Sequence, residues 1–231
     1  MYPLRRNRRL RVKGAIRDLV RETSVTPEDF IVPLFVVEGT SVKQEIPSMP
    51  GYYRLSLDEL KKEIQELWGL GLKSVLLFVK VPGDLKDNEG KEALNPEGLM
   101  QRAIRKVKDV CPEMWVMTDV ALDPYSEYGH DGIVQDGQIL NDDTAEVLAA
   151  MSVSHAHAGA DMVAPSDMMD GRILAIREAL EDKGYINTGI MSYSAKYASA
   201  LYGPFRDALN SAPVDIKDIP KDKKTYQMDY G

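Results

Sequence analysis

Ser74–Val110, SVLLFVKVPGDLKDNEGKEALNPEGLMQRAIRKVKDV, holds one complete strand–loop–helix unit. Ser74–Val81 is a strand, apolar from Val75 to Val79. The loop Pro82–Pro96 is long and polar, and Glu97–Val110 reads as a helix through Leu99, Ile104 and Val107. The same unit recurs on either side. Upstream, Phe30–Val37 (FIVPLFVV) is the first strand, with Pro33 suggesting an edge or a bulge. The stretch EGTSVKQEIPSMPGYYRL reads as a loop. Ser56-Leu57-Asp58-Glu59 then opens a helix carrying Leu60, Ile64, Leu67 and Leu70, closed by Gly71.

Downstream, Trp115–Leu122 is the third strand, followed by the glycine- and acid-rich DPYSEYGHDGIVQDGQ. Asn141-Asp142-Asp143-Thr144 caps a helix reaching about Ala158. Met162–Pro165 is the fourth strand, SDMMDG its loop and Gly171–Leu180 its helix. Asn187–Ser192 is the fifth strand, and Tyr197–Leu209 its helix after the Gly203-Pro204 break is allowed for. The remainder, SAPVDIKDIPKDKKTYQMDYG, reads as a polar tail. Strict strand–helix alternation means an α/β protein with a parallel sheet and helices outside, either doubly wound or a (β/α)8 barrel. Five strands cannot close a barrel with normal geometry. No GxGxxG or GxxxxGK[ST] follows the first strand, which weighs against dinucleotide and P-loop nucleotide sites.

The chain has 231 residues, 44% hydrophobic and 28% charged, with a net charge of −7. That balance disfavours nucleic acid as the main partner. No apolar run approaches the roughly 20 residues of a membrane helix, so no membrane association is expected. The one cysteine, Cys111, precludes an internal disulfide framework and fits a cytoplasmic setting. Eight basic residues lie between Arg5 and Arg21, interleaved with Leu10, Val12, Ile16 and Leu19. Residues 1–29 are therefore expected to form an arm making a subunit contact, ending in the capping turn Thr26-Pro27-Glu28-Asp29, ahead of a catalytic barrel domain at 30–231.

The chemistry-bearing residues fall at strand ends, where a barrel keeps its active site. Lys196 follows the fifth strand in MSYSAKYASALYGPFRD, flanked by Tyr193, Ala195 and Tyr197. A desolvated amine there is a nucleophile for carbonyls; the ordinary alternative is a surface lysine at a helix start. The third-strand end gathers Asp119, Asp123, His130 and Asp131, hard oxygen donors with one imidazole. They suit Mg2+ or a bound water better than a structural zinc, or else form a solvated acidic loop. After the fourth strand, Ser166, Asp167 and Asp170 offer a hydroxyl and two carboxylates, with helix capping as the plainer role. His155 and His157 lie two apart on a helix and read as packing or surface residues.

TDVALDPYSEYGHDG, MVAPSDMMDGR and GIMSYSAKYASALYGPFRDA, in this order on successive strand ends, resemble the porphobilinogen synthase (5-aminolevulinate dehydratase) family. So do RRLR, VPLFVVEG and KKTYQM, and the resemblance runs from about Arg5 to Gln227. It implies a (β/α)8 barrel with an arm wrapping a neighbour in a homo-octamer or smaller assembly, and condensation of two 5-aminolevulinate molecules with loss of two waters. Lys196 matches the first of the family's two Schiff-base lysines. Arg206 matches a carboxylate binder, and Lys223 falls where a second one stands, with Gln227 beside it. Asp119 and Ser166 match residues lining the first substrate's site. Ala121, Asp123 and Asp131 stand where zinc-dependent members carry three cysteines, the pattern of members that rely on Mg2+ or a monovalent ion. The resemblance places the second Schiff-base lysine, on a sixth strand, beyond Gly231, together with the allosteric-magnesium glutamate and the serine and tyrosine that bind the second substrate. The expectation is that these residues alone are inactive or nearly so. Lys196 alone also permits a class I aldolase, against which the aspartate-rich third loop and GPFRD argue; a non-catalytic relative acting only in assembly is the other alternative.

Overall fold

The computed structural model of the chain describes residues 4–231. Its framework is a 7-stranded sheet. In chain order the strands are β1 (Ile31–Val37), β2 (Lys43–Ile46), β3 (Met49–Leu55), β4 (Ser74–Lys80), β5 (Trp115–Val120), β8 (Met162–Pro165) and β9 (Gly189–Ile190), and in space they run β2-β3-β1-β4-β5-β8-β9. The small pair β6 (Val134–Gln135) and β7 (Gln138–Ile139) stands apart, inside the loop after β5. Every neighbouring pair in the main sheet is parallel except β2–β3. Helices α2 (Leu57–Gly69), α3 (Leu99–Val110), α4 (Asn141–Ala158) and α5 (Arg172–Asp182) form the crossovers. This is the parallel α/β wall with crossover helices that the alternation predicts, open between β2 and β9.

The continuous apolar strands are explained by two cores. Val75, Leu77 and Val79 of β4 pack with Leu60 and Ile64 of α2 and Ile104 of α3. The alternate residues Leu76 and Phe78 pack on the other face with Phe35, Met117, Ala164 and Leu209. Neither face meets water, so alternation disappears from the sequence. Each such buried aliphatic side chain contributes about 1.5–3 kcal/mol relative to exposure. The second core faces the barrel interior and is covered by α6 (Gly203–Leu209), whose Phe205 packs 5.3 Å from both Phe35 and Phe78.

Four expectations are corrected. The loop after β1 contains the β2–β3 hairpin, whose four-residue β2 is exposed at Lys43, Gln44 and Glu45 and so carries no strand-like hydrophobic pattern. The fifth strand is only Gly189–Ile190, and no helix begins at Tyr197. Instead Lys196–Ala198 pairs with the C-terminal segment: Met228 N–H donates to the Lys196 carbonyl at 3.0 Å and Ala198 N–H to the Met228 carbonyl at 2.9 Å. Gly203-Pro204 is a helix start, with proline in the first turn of α6. The Asn141–Thr144 cap is also different: Asn141 is the first residue of α4, and its side chain bonds the backbone of Asp170 instead. Pro33 occupies the part of β1 that pairs only with β4, since pairing with β3 begins at Phe35. A missing N–H is harmless at such a local edge.

The N-terminal segment holds α1 (Gly14–Leu19) with no buried residue, and Leu10, Val12 and Leu19 are exposed. The capping turn is present, with Asp29 accepting from Thr26 N–H at 2.7 Å. Among the described residues no helix is long and apolar enough to cross a membrane.

Candidate active site

Five segments converge at the carboxyl ends of the strands. Asp119 lies in β5, Asp123 and Asp131 in the loop after it, and Ser166 just past β8. Lys196 comes from the loop after β9, Arg206 from α6, and Lys223 and Gln227 from the C-terminal segment. All of these except Asp131 line one cavity of about 110 Å³, with Tyr193, Tyr202 and Phe205 as its aromatic wall.

Lys196 is largely enclosed, its side chain 12% exposed. Its Nζ donates to the Ser166 carbonyl at 2.7 Å and stands 3.9 Å from Asp131 Oδ2. The ring that covers it is Tyr202, 5.8 Å away, and not Tyr197, which is 38% exposed. The Ser166 hydroxyl donates to Asp119 Oδ1 at 2.7 Å. Ser166 therefore links the amine to a carboxyl, its carbonyl to one and its hydroxyl to the other. Burial pushes Asp119 up to about 7, helped by the nearby charge of Asp123 and opposed by the Ser166 hydroxyl.

The tail is part of the site. Lys223 is 4% exposed and pairs with Asp131 at 2.9 Å and Asp123 at 3.4 Å. Burial opposes its charge, but the two carboxylates outweigh that and raise it above the ordinary lysine range. Asp131 is likewise disfavoured by burial, yet Lys196 and Lys223 hold it down to about 2. Asp123 goes the other way: burial raises it more than Lys223 lowers it. The physical reading is that Asp131, buried with the shorter lysine contact, carries the negative charge, while Asp119 and Asp123 are driven toward the neutral acid. Gln227 Nε2 donates to Asp131 Oδ2 at 3.2 Å, and its own Oε1 is buried without a protein partner.

His130, read from the sequence only as a possible donor, and Tyr226, missed by the sequence reading, fasten the tail. His130 Nε2 donates to the Pro220 carbonyl at 2.7 Å, which fixes the tautomer. Its Nδ1 is then free to accept from Tyr226 Oη at 3.1 Å, while Tyr226 Oη accepts from Asp131 N–H at 3.2 Å. Gly129 permits the approach: a Cβ there would fall 2.2 Å from the Ala212 carbonyl oxygen. Asp167 is elsewhere occupied, accepting from Met169 N–H at 2.7 Å and pairing with Arg172 at 3.1 Å, and Asp170 is exposed. His155 is buried against Thr118, and His157 meets Tyr185 at the surface, as packing residues would.

One site expectation changes. Lys223 lines the cavity and is paired with Asp131 and Asp123. The same pair was the candidate Mg2+ site, and the ammonium stands where the cation would. With Ala121 beside them offering no donor, these residues do not fit a divalent ion; among the described residues no group of three or more His, Cys, Asp or Glu is arranged for a metal. Arg206, by contrast, lines the cavity half-buried with no side-chain hydrogen bond or ion pair among the described residues.

A family model described as Delta-aminolevulinic acid dehydratase matches residues 4–231. The chain belongs to that family. It is 50% identical over 224 residues to the delta-aminolevulinic acid dehydratase of Chlamydia pneumoniae, covering 97% of this chain and 66% of that one. The Bacillus subtilis (strain 168) protein of that name is also 50% identical, with coverage of 97% and 67%. Among solved structures, delta-aminolevulinic acid dehydratase of Toxoplasma gondii ME49, in complex with the reaction product porphobilinogen, superposes with a TM-score of 0.91 at 49% identity. That match takes in 99% of this chain and 64% of the other. The chain thus spans about two thirds of the length of these relatives.

Proposed function

We propose that these residues form the imine-forming half of a 5-aminolevulinate dehydratase, a lyase of tetrapyrrole biosynthesis that makes porphobilinogen. The observation that carries the reading is the enclosed Lys196 amine, joined through Ser166 to a carboxyl pushed up to about 7 at the wall of an aromatic cavity. The unprotonated amine attacks the C4 ketone of 5-aminolevulinate, forming the C–N bond while the oxygen takes a proton. The resulting carbinolamine loses its hydroxyl as water. Asp119 in its acid form supplies the proton for that departure, and the nitrogen lone pair closes the C=N bond, leaving an iminium on Lys196. A carboxyl poised near neutrality gives and recovers a proton at little free-energy cost, and such acid catalysis is typically worth ~10²–10⁴-fold. Arg206 takes the substrate carboxylate by charge-assisted hydrogen bonds, which orients the ketone toward the amine. Asp131 and Lys223 supply a fixed charged floor.

Borohydride reduction in the presence of 5-aminolevulinate tests this: a mass increase mapped to Lys196 is expected, and it should vanish in Lys196→Ala. A folded chain that is labelled nowhere, or on surface lysines only, refutes it. We further propose that the chain assembles as a homo-oligomer through residues 1–29. The exposure of Leu10 at 50%, Val12 at 67% and Leu19 at 80% supports that reading. The single cysteine, buried and free, supports a reducing cytoplasmic setting.

A further inference from the structure

Helix α6 carries Arg206, the one cavity cation without a side-chain partner among the described residues, and something must hold that helix in place. Its amino-terminal end is packed by Phe205 between Phe35 and Phe78. Its carboxyl-terminal end is gripped by a residue from a different element. Arg54, in β3, is 4% exposed. Its Nε donates to the Ala208 carbonyl at 2.6 Å and its Nη2 to the Asp207 carbonyl at 2.6 Å. These are carbonyls of the last turn, where helix carbonyls run short of donors; that of Asp207 also accepts from Asn210 N–H at 3.2 Å. The guanidinium also sits 3.6 Å from Asp207 Oδ1, and Ser48 Oγ, in the β2–β3 turn, donates to Asp207 Oδ2 at 2.5 Å. From the far side Lys86 Nζ donates to the Asn210 carbonyl at 2.9 Å. Two cations thus meet the negative end of a seven-residue helix, the arrangement its dipole favours.

We infer that Arg54 is a positioning residue for substrate-carboxylate binding: its two-pronged hold on the last turn of α6 fixes Arg206, one residue before the gripped carbonyls, at the cavity wall. Arg54 touches neither the cavity nor any group that reacts; it acts through the helix. A helix this short does not persist without tertiary support. Loosening its end therefore moves Arg206 before it moves Lys196, which belongs to a different segment and is anchored to Ser166 and Met228. The planar fork matters as well as the charge, because two parallel N–H groups meet two successive carbonyls. A lysine at position 54 keeps the charge but can meet only one of them.

The inference rests on the proposed Lys196 imine, and the test separates the two. The full 231-residue chain is labelled by borohydride with either 4-oxopentanoate, which has the ketone and the carboxylate, or 2-pentanone, which lacks the carboxylate. In the parent, 4-oxopentanoate is expected to saturate labelling of Lys196 at lower concentration than 2-pentanone. In Arg54→Lys the half-saturating concentration of 4-oxopentanoate should rise about tenfold, while 2-pentanone labelling stays within twofold. Arg54→Met should show the same split more strongly. Because Arg54→Met risks unfolding, hydrogen exchange of the Ser211 amide, which donates to the Arg206 carbonyl at 3.0 Å, is followed in Arg54→Lys as a second readout and should quicken. Unchanged labelling and exchange in Arg54→Lys overturn the inference. So does an equal loss with both ketones, since that marks a general structural role. Failure of the parent to label with either ketone overturns the imine reading itself.

Discussion

Replacing Lys223 by methionine removes the positive charge from the most enclosed ion cluster in the protein while keeping most of the side-chain volume. Lys223 is 4% exposed, and its partners Asp131 and Asp123 have side chains 0% and 12% exposed. Breaking a buried pair by removing one partner costs about 3–5 kcal/mol, because the remaining charge is left without its counterion. Domains of ordinary size hold only about 5–15 kcal/mol in total, so the variant should lie close to the edge of folding. Part of the loss is recoverable by protonation. Asp131 is depressed to about 2, so its share of the stability is present above the unfolded aspartate value near 4 and is lost as pH falls through about 2. In the variant that share shrinks, and the gap between parent and variant should be widest at neutral pH and narrow below pH ~4. Urea unfolding followed by far-UV circular dichroism at pH 7 and pH 4 measures both effects. Adding Asp131→Asn to Lys223→Met should restore part of the stability, since no uncompensated anion then remains on that side. A loss under about 1 kcal/mol at pH 7, or one that does not depend on pH, would refute the assignment of Asp131 as the buried anion.

Asp119 and His155 are expected to tilt stability in opposite senses. Asp119, raised to about 7, binds a proton in the native state that the unfolded chain has released above pH ~4, so its contribution declines as pH rises from ~4 to 7. Burial lowers His155 to about 3, so its contribution is complete above the unfolded value near 6.5 and is lost as pH falls. The two slopes, each at most about 1.4 kcal/mol per pH unit, oppose each other between pH ~4 and 6.5. Asp119→Asn should therefore lose stability on acidification more steeply than the parent across that window; parallel profiles would count against a neutral Asp119. For the arm, Leu10→Glu with Leu19→Glu should leave the unfolding midpoint within the ±0.5 kcal/mol typical of surface changes but lower the sedimenting mass. An unchanged mass would remove residues 1–29 from the subunit contact.

The strands were legible where both faces are buried. Val75–Val79 and Met162–Pro165 are apolar throughout, and an unbroken apolar run has few other readings in a chain with helices between. Helices α2 and α3 were legible because each has a single apolar stripe. What escaped is held together by polar contacts between distant segments. The β2–β3 hairpin is exposed along one strand and gives no hydrophobic signal, yet it contains Arg54. The C-terminal segment reads as solvated because it is rich in lysine and aspartate, but Lys223 finds its counter-charges in Asp123 and Asp131, 100 and 92 residues earlier. No local pattern records such a partner. His130 was noticed as a possible donor and passed over as a latch, because its two partners come from Pro220 and Tyr226. The resemblance located Lys196, Asp119, Ser166 and Arg206 at one cavity, whereas residue chemistry alone left Lys196 open to a surface role.

The arrangement of charge explains why the third-strand loop and the tail must be ordered together. Asp131 is fully buried, and a carboxylate in that position would ordinarily take up a proton. It remains an anion because Lys223, Gln227 and, at 3.9 Å, Lys196 all face it. Two of those three come from the tail. With the tail displaced, Asp131 would shift toward the neutral acid, and Lys196 would lose the anionic carboxylate that stands 3.9 Å from its amine. Docking of residues 223–227 thus sets the electrostatics around an amine contributed by another segment. The latch formed by His130, Tyr226 and the Asp131 amide joins the same two pieces of chain a second time. The surroundings of the proposed nucleophile Lys196 therefore depend on a contact between Lys223 and an aspartate 92 residues earlier in the chain.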